Sequence, residues 1–219
     1  MPSYSGVFNL QTQMQARAAS NWPTPLAAGD AYGGGYFAGQ ISTSGSGIAN
    51  YNLVVGPMAS AQSASKQWKT SNTSTAGTSS VIDGPSNSAA MNNASHPAAQ
   101  FCEGLTIGGF SDWYMPAKNE LEVCYYNLKP TTTANNTSSG INANAVPARA
   151  SNYTNVTPAQ TTSADFKNTG AETFADGYYW SSSETNVTNS WYQYFGNGYP
   201  NGVNKTFSGS VRAVRRVAV

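Results

Sequence analysis

The C-terminal segment from Tyr178 onward constrains the fold most, because two kinds of residue alternate along it. One set is large and apolar and predicts a buried frame: Trp180, Trp191, Phe195, Val211, Val214 and Val217. The other set lies between these residues: Tyr192, Tyr194, Asn197, Tyr199, Asn201 and Asn204. Tyr offers a large contact area at low entropic cost, and Asn offers adaptable hydrogen bonds, as in antibody binding sites. Since no acid–base constellation accompanies them, the segment predicts a binding surface rather than a reaction centre.

The composition predicts a folded chain with a nearly uncharged surface and long irregular connections. Its 219 residues suffice for one large domain or two small ones with a real core. Charged residues make up only 10% of the chain, against about 25% in typical soluble domains. Low charge with low hydrophobicity is also typical of disorder, but aromatic residues reach 12% here, and disordered segments are poor in them.

Charge and hydropathy argue against two classes of partner. The net charge is +1, so no field of one sign would attract nucleic acid. No run approaches the ~18 apolar residues of a membrane-spanning helix, so we expect no membrane insertion. The first residues lack the charged and apolar regions of a signal peptide. We therefore expect folding in the cytoplasm, with any exit by lysis or another route.

Local patterns predict a hairpin, several helices and a set of short C-terminal strands. Alternation over 29–42 and 51–56, joined by a Ser-Gly turn, predicts the hairpin. Caps, prolines and apolar spacing predict helices over 86–93, 95–104 and 116–130, with one helical turn within 164–170. The polar stretch 131–170 predicts a long connection, and a structureless connection of this length is uncommon inside a compact domain unless it is functional. Strands are expected at 178–181, 190–195, 205–207 and 210–217.

The candidate catalytic and metal-ligating residues favour structural roles. His96, the only histidine, precedes a proline at a predicted helix start, and the chain offers no nucleophile elbow to form a triad with it. Isolated aspartates do not predict a calcium loop, so no metal site is expected. Two carboxylate pairs are interpreted as solvated or capping groups: Glu120 with Glu122, and Glu103 with Asp112.

The cysteines and the C-terminal arginines also favour structural roles. Cys102 and Cys124 are expected to be buried and reduced, because nothing directs the chain to an oxidising compartment; whether they pair is left open. Three arginines, Arg212, Arg215 and Arg216, lie in the last predicted strand without an aromatic-interleaved basic patch. We expect their guanidinium groups to bind carboxylates or backbone carbonyls rather than nucleic acid.

Three motifs occur in an order that resembles a known family. They are GGFSDWYMPAKNELEVCYYNL, YYWSSSE and the closing VRAVRRV. Together they resemble phage and prophage tail proteins with a C-type-lectin-like domain, which are related in fold to formylglycine-generating enzymes and bacterial adhesin domains. The resemblance covers residues 30–219 and extends to the target proteins of diversity-generating retroelements.

In those retroelement targets, the C-terminal strands and loops are a scaffold for mutagenised, ligand-contacting positions. The resemblance implies that the scaffold here comprises Trp191, Gln193, Phe195 and residues 211–217. It implies that the variable-type positions are Tyr192, Tyr194, Gly196, Asn197, Tyr199, Asn201, Asn204 and Thr206. The calcium-dependent sugar motifs of lectins and the reactive cysteine pair of the formylglycine enzymes have no match, so the resemblance implies neither activity.

These observations predict an α+β, C-type-lectin-like fold, with two helices packed on small twisted antiparallel sheets and long irregular loops. Residues 1–30 are expected to be an N-terminal attachment or oligomerisation segment, and residues 31–219 a receptor-binding domain. The expected function is host recognition at a phage tail fibre tip, without catalysis or a cofactor. The expected partners are a host-surface protein or glycan, other tail proteins and, by tail-fibre analogy, two further copies in a homotrimer on the virion, assembled in the host cytoplasm.

Two alternatives remain open. A structural tail or capsid decoration protein without a ligand would have Tyr192, Tyr194 and Tyr199 buried or against another subunit. An enzyme of the formylglycine-generating or glycan-cleaving type would have a concave pocket with paired carboxylates or a reactive thiol.

Overall fold

The computed structural model describes residues 25–219 and shows a mixed α+β fold built on two sheets. The strands in this range are β1 Ala31–Tyr32, β2 Gly35–Ile41, β3 Tyr51–Val55, β4 Gln62–Gln67, β5 Ala145–Val146, β6 Tyr178–Glu184, β7 Asn189–Tyr194, β8 Pro200–Asn204, β9 Ser208–Arg212 and β10 Val214–Ala218. Its α-helices are α1 Met58–Ala61, α2 Gly84–Ala89, α3 Pro97–Glu103 and α4 Lys118–Leu128, and a 3-10 turn spans Ala164–Phe166.

The α+β class is confirmed, whereas the expected number of two helices is too low. Helices α3 and α4 lie within the ranges that the sequence predicts, α2 overlaps its range but begins earlier, at Gly84, and none of the predicted ranges covers α1. Helix α4 begins after Ala117, whose backbone N–H donates to Glu120 Oε2 at 2.8 Å. This bond satisfies one of the donors that a helix N-terminus leaves unpaired.

The first sheet contains the predicted hairpin. Its strand order is β1-β2-β3-β10, with β5 paired to β2, and all of its pairings are antiparallel. The register of β2 shifts between Phe37 and Gly39, and Gly39 takes a φ of +133°, which favours glycine. At this bulge Asn127 of α4 donates its Nδ2 to the carbonyl of Ala38 at 2.7 Å, which ties the helix to the sheet.

The second sheet has the order β4-β9-β6-β7-β8. Strands β6 and β9 are parallel, through Tyr179 and Ser210, so the expectation of purely antiparallel sheets is wrong at this one pairing. The expected strand at 205–207 is also wrong, because these residues form the turn between β8 and β9. Strand β8 lies earlier, where Pro200, Asn201 and Gly202 have low strand propensity and pairing with β7 overrides it.

Two apolar clusters form the core. In the first, Leu121 and Leu128 of α4 pack with Leu53 of the first sheet and Phe195 beyond β7. In the second, three fully buried indoles are the largest members: Trp68, Trp113 and Trp180. Both cysteines are free and buried, as the sequence predicts: Cys102 and Cys124.

The three C-terminal arginines form ion pairs inside the molecule, which confirms their predicted structural role. Arg212 is the most buried of them, and its Nε also donates to the carbonyl of Gly56 at 2.9 Å. Arg215 and Arg216 lie within β10 and tie this strand to the loop that contains Asp112 and to α4. The pairs are Arg212–Glu172 at 2.6 Å, Arg215–Asp112 at 2.7 Å and Arg216–Glu120 at 2.8 Å.

The long polar stretch 131–170 packs onto the core through buried amides. Asn135 is 5% exposed, and its Nδ2 donates to the carbonyl of Thr154 at 3.0 Å and to that of Pro158 at 2.9 Å. Its Oδ1 accepts the hydroxyl of Tyr125 from α4 at 2.6 Å. A buried Asn thus replaces the missing secondary structure as hydrogen-bond partner for the backbone.

Most of the expected attachment segment 1–30 lies outside the described residues, which begin at Pro25. Within 25–219, none of the helices combines the length and the hydropathy needed to cross a membrane.

Candidate functional site

Strand β7 places alternate side chains on opposite faces of the second sheet, as predicted. Tyr192 and Tyr194 lie opposite Trp180 and Tyr178 of β6, so all four rings share one face. On its other side, β7 pairs with β8 and brings Asn201 beside Tyr192. The opposite face of β7 carries Trp191 and Gln193, which look toward α4 and the 131–170 stretch.

The shared face carries an aromatic patch, which comprises Tyr178, Tyr192, Tyr194, Tyr199 and Phe207. The ring of Tyr178 lies centrally, 4.6 Å from that of Tyr192, 4.8 Å from that of Tyr194 and 6.4 Å from that of Phe207. Three rings of the patch are well exposed: Tyr178 at 42%, Tyr199 at 39% and Phe207 at 47%. Contiguous exposed aromatic area of this kind is typical of interaction sites.

Tyr192 forms the floor of the patch, and the expectation that it projects outward is wrong. It is only 9% exposed, because Tyr178 and Trp180 cover its ring. Burial raises the pKa of Tyr192, a hydrogen bond from Asn201 lowers it, and the Tyr178 and Tyr199 hydroxyls raise it further. Tyr194 is partly buried, and its pKa is raised by a hydrogen bond to Asp176 and by burial.

The asparagines predicted as ligand contacts hold the loops around the patch. Asn197 Oδ1 accepts the backbone N–H of Tyr199 at 3.1 Å. Asn204 Oδ1 accepts from Thr206 twice, from its backbone N–H at 3.0 Å and its hydroxyl at 2.7 Å. Asn201 and Asn204 are exposed, whereas Asn197 and Thr206 are half-buried. The amide oxygens of Asn197 and Asn204 therefore preorganise the turns, and the side chain of Asn201 hydrogen-bonds Tyr192.

A buried lysine supports the turn that carries Phe207. Lys205 is 0% exposed, and its Nζ lies 2.7 Å from Glu184 Oε1 and 2.9 Å from the carbonyls of both Thr73 and Val187. Hydrogen bonds from this cation and from loop groups hold the pKa of Glu184 low despite its burial, which acts in the opposite direction. The buried ion pair between Lys205 and Glu184 therefore fixes the position of this turn.

The residues considered as catalysts serve the scaffold. His96 bonds Thr75 Oγ1 at 2.8 Å and Asn93 Oδ1 at 2.9 Å, and burial lowers its pKa to about 4. Glu120 and Glu122 are buried, so their interpretation as solvated is wrong, although Glu120 does cap α4. Both cysteine thiols are buried and their pKa values are raised. Within 25–219, no three His, Cys, Asp or Glu side chains gather as a metal ion would require.

A separate polar cleft lies on the opposite side of β7, with a volume of about 210 Å³. Lys118 stands at its edge with Nζ 4.7 Å from the Trp191 ring centre. Among the described residues, this ammonium has neither an ion-pair partner nor a hydrogen-bond acceptor. Burial lowers the pKa of Lys118, and Glu122 opposes that shift. Glu122 itself forms an ion pair with Arg149 and accepts hydrogen bonds from Asn142 and Tyr153.

Sequence reasoning missed Tyr178 and Phe207 of the patch, and Lys118 of the cleft. The alternation predicts only a strand at Tyr178, although Tyr178 stands two residues before Trp180 and so shares its face. The sequence also predicts a strand at Phe207, although Asn204-Lys205-Thr206 before it has turn character. The position of Lys118 depends on contacts with distant β7, for which the sequence carries no signal.

The geometry defines a domain with an exposed aromatic surface on a sheet, supported by buried ion pairs. The family model of the Lcl C-terminal domain matches residues 62–215, more than half of the chain. The chain therefore belongs to the Lcl C-terminal domain family. The matched region includes the second sheet and the whole aromatic patch. No curated protein matches the chain.

Proposed function

We propose that this chain is a ligand-recognition domain of C-type-lectin-like architecture, and that it binds a host-surface receptor at a phage tail fibre tip. The observation that carries the proposal is the aromatic patch, whose exposed rings Tyr178, Tyr199 and Phe207 rest on a buried floor. Membership of the Lcl C-terminal domain family is consistent with a lectin-like ligand-binding role. The proposed mechanism is non-covalent, with no cofactor.

Of the three tyrosines that the ligand-free structural alternative expects to be buried, Tyr192 is buried, Tyr194 is half-buried and Tyr199 is exposed. The support for recognition therefore comes from Tyr199 together with the exposed rings of Tyr178 and Phe207. Rings with a rigid support lose little entropy on binding, and aromatic residues dominate binding energy at interfaces. The enzymatic alternative is less well supported, since Glu122 is the only carboxylate among the described residues that line the cleft, and both of its oxygens already accept hydrogen bonds. We therefore propose that the chain has no catalytic activity.

A homotrimer, joined to other tail proteins through the N-terminal segment, completes the proposal. Three copies of one weak site raise avidity by orders of magnitude without new contacts. Diversification by a retroelement would act on the exposed positions, with Tyr199 and Asn201 foremost. Light scattering of the purified chain tests the trimer, and a near-copy of the C-terminal coding stretch beside a reverse transcriptase tests the diversification.

The experiment for the patch combines a binding screen with matched variants. The purified chain is screened against a glycan array and a panel of intact bacterial cells. For any probe bound, Tyr178→Ala, Tyr199→Ala and Phe207→Ala should each weaken binding by roughly 30-fold, equivalent to about 2 kcal/mol. Ile48→Ala is the control, because this side chain is 72% exposed but lies in the β2–β3 connection. Equal binding by all four variants would refute the patch as the receptor site.

The cleft supports a second candidate function, the binding of a small acidic molecule. The observation that favours it is the Lys118 ammonium, which lies beside Trp191 and lacks an acceptor within 25–219. A volume of about 210 Å³ is below the roughly 300 Å³ at which drug-sized pockets begin, so the ligand would be small. NMR titration with a panel of small carboxylates should shift the indole N–H of Trp191. Lys118→Met should abolish that shift, and a shift that persists would exclude this site.

A further inference from the structure

The chain contains two Asn-Gly dipeptides, and both lie around the aromatic patch: Asn197-Gly198 and Asn201-Gly202. Glycine leaves its backbone nitrogen unusually accessible to the preceding side chain, because it has no Cβ. We propose that Asn201 is a site of spontaneous deamidation, in which the backbone nitrogen of Gly202 attacks the side-chain amide carbon. The proposal does not depend on the function assigned to the patch.

The reacting groups are already adjacent. The backbone N–H of Gly202 donates to Asn201 Oδ1 at 2.8 Å, which places the amide carbon of Asn201 beside the attacking nitrogen. The side chain of Asn201 is exposed, so water reaches the carbonyl group.

The position of Gly202 in the sheet leaves its nitrogen free of the ladder. Antiparallel pairs alternate between hydrogen-bonded and non-hydrogen-bonded. Tyr194 donates its N–H to the carbonyl of Tyr199 at 3.0 Å, so that pair is hydrogen-bonded. Counting along the register makes Trp191–Gly202 a non-hydrogen-bonded pair. Strand β8 is an edge strand, so the N–H of Gly202 points away from β7, toward the open edge.

The other dipeptide is a built-in control with the same chemistry and opposite geometry. The N–H of Gly198 donates to the carbonyl of Tyr194 at 2.8 Å, inside the tight turn between β7 and β8. Gly198 is buried, and Asn197 Oδ1 is engaged by the N–H of Tyr199. Both the nucleophile and the carbonyl group of Asn197 are therefore held in other contacts.

The reaction balances without an oxidant or a reductant. The Gly202 nitrogen gives its proton to solvent and forms a bond to Cγ of Asn201, and the side-chain nitrogen leaves with a proton as ammonia. Water then adds to either carbonyl carbon of the five-membered imide and opens it to aspartate or isoaspartate. A neutral amide next to Tyr192 becomes a carboxylate, and the isoaspartyl product also lengthens the backbone of β8.

The test follows both asparagines in the folded full-length chain at mildly alkaline pH. Trypsin releases them on one peptide, residues 168–205, and fragment ions assign the mass change to either residue. Asn201 should convert about tenfold faster than Asn197, the protection that a hydrogen bond of roughly 1.4 kcal/mol provides. In urea the two rates should converge, because the sequences are alike. Equal rates in the folded chain would overturn the proposal.

A variant provides the second arm. The three atoms nearest to a Cβ at position 202 would be Thr185 Oγ1 at 3.2 Å, Thr185 Cγ2 at 3.4 Å and Asn189 Cβ at 3.7 Å, so Gly202→Ala should fold. It should slow the modification of Asn201 by at least tenfold and leave Asn197 unchanged. If Asn201 converts at the original rate in Gly202→Ala, the mechanism is wrong. Should that variant not fold, the comparison of the folded and the urea-treated chain still tests whether the fold makes Asn201 convert faster than Asn197.

Discussion

Truncating Tyr192, the floor of the aromatic patch, should cost much more stability than truncating Tyr199, which belongs to its exposed rim. Tyr192 is 9% exposed and Tyr199 is 39% exposed, although the two side chains are neighbours. Removing a buried aromatic ring costs about 3–5 kcal/mol. For Tyr192→Ala we expect about 3 kcal/mol, the lower end, since the exposed ring of Tyr178 can settle into part of the space. Surface substitutions usually stay within about 0.5 kcal/mol, and we expect this of Tyr199→Ala.

Urea unfolding followed by tryptophan fluorescence measures both values, and thermal unfolding provides an independent check. In a chain of this size, about 3 kcal/mol corresponds to a fall in Tm of roughly 6–12 °C. Tyr192→Phe separates packing from hydrogen bonding, because it keeps the ring and loses only the hydroxyl that meets Asn201. It should cost about 1 kcal/mol. If Tyr192→Ala proved no more destabilising than Tyr199→Ala, the assignment of floor and rim would be refuted.

Three further predictions concern the scaffold. Arg212→Ala leaves the buried Glu172 carboxylate without its cation and should cost about 3–5 kcal/mol. Arg215→Ala should cost about 1 kcal/mol, because the carboxylate partner of Arg215 is 54% exposed. Comparable losses of Tm in the two variants would contradict this ranking. Because the pKa of His96 falls from 6.5 to about 4 on folding, the unfolded chain binds more protons than the folded chain between these pH values. The free energy of unfolding should therefore decline as pH drops from 6.5 to 4, and it should decline less in His96→Gln. The same pH dependence in the variant and the original chain would argue against this role of His96. Both thiols should resist a thiol-specific reagent until the chain unfolds, and rapid labelling of the native chain would show that they are accessible.

Helix α4 and the β2–β3 hairpin could be predicted because their signals are local. Spacing of apolar residues between Pro116 and Pro130 is enough to fix one helical face. The faces of β7 could be predicted for the same reason, since alternation needs no tertiary information. The role of the C-terminal arginines also followed, because carboxylates inside the same chain are natural partners for a few guanidinium groups on a strand.

The remaining features depend on contacts between distant residues. Strand β8 has the composition of a loop and is a strand only because β7 lies beside it. Tyr192 faces the side that alternation assigns to it, but its exposure depends on Tyr178 and Trp180, which arrive from another strand. The order within 131–170 depends on Asn135, and no sequence rule distinguishes a buried, fully bonded Asn from a loop Asn.

The separation of floor from rim bears on which positions a diversified surface could vary. Tyr199 contributes little to the core and Asn201 contributes one hydrogen bond, to Tyr192, so many side chains at these positions would preserve the fold. Asn204 is exposed as well, yet its Oδ1 holds the β8–β9 turn through two bonds to Thr206, so substitution there costs turn geometry. Tyr192 is the least replaceable, because its ring fills space beneath the others. A surface can be variable and still rigid only where the groups that contact a ligand differ from the groups that hold the frame. Tyr199, which precedes β8, and Asn201, which lies within it, meet that condition.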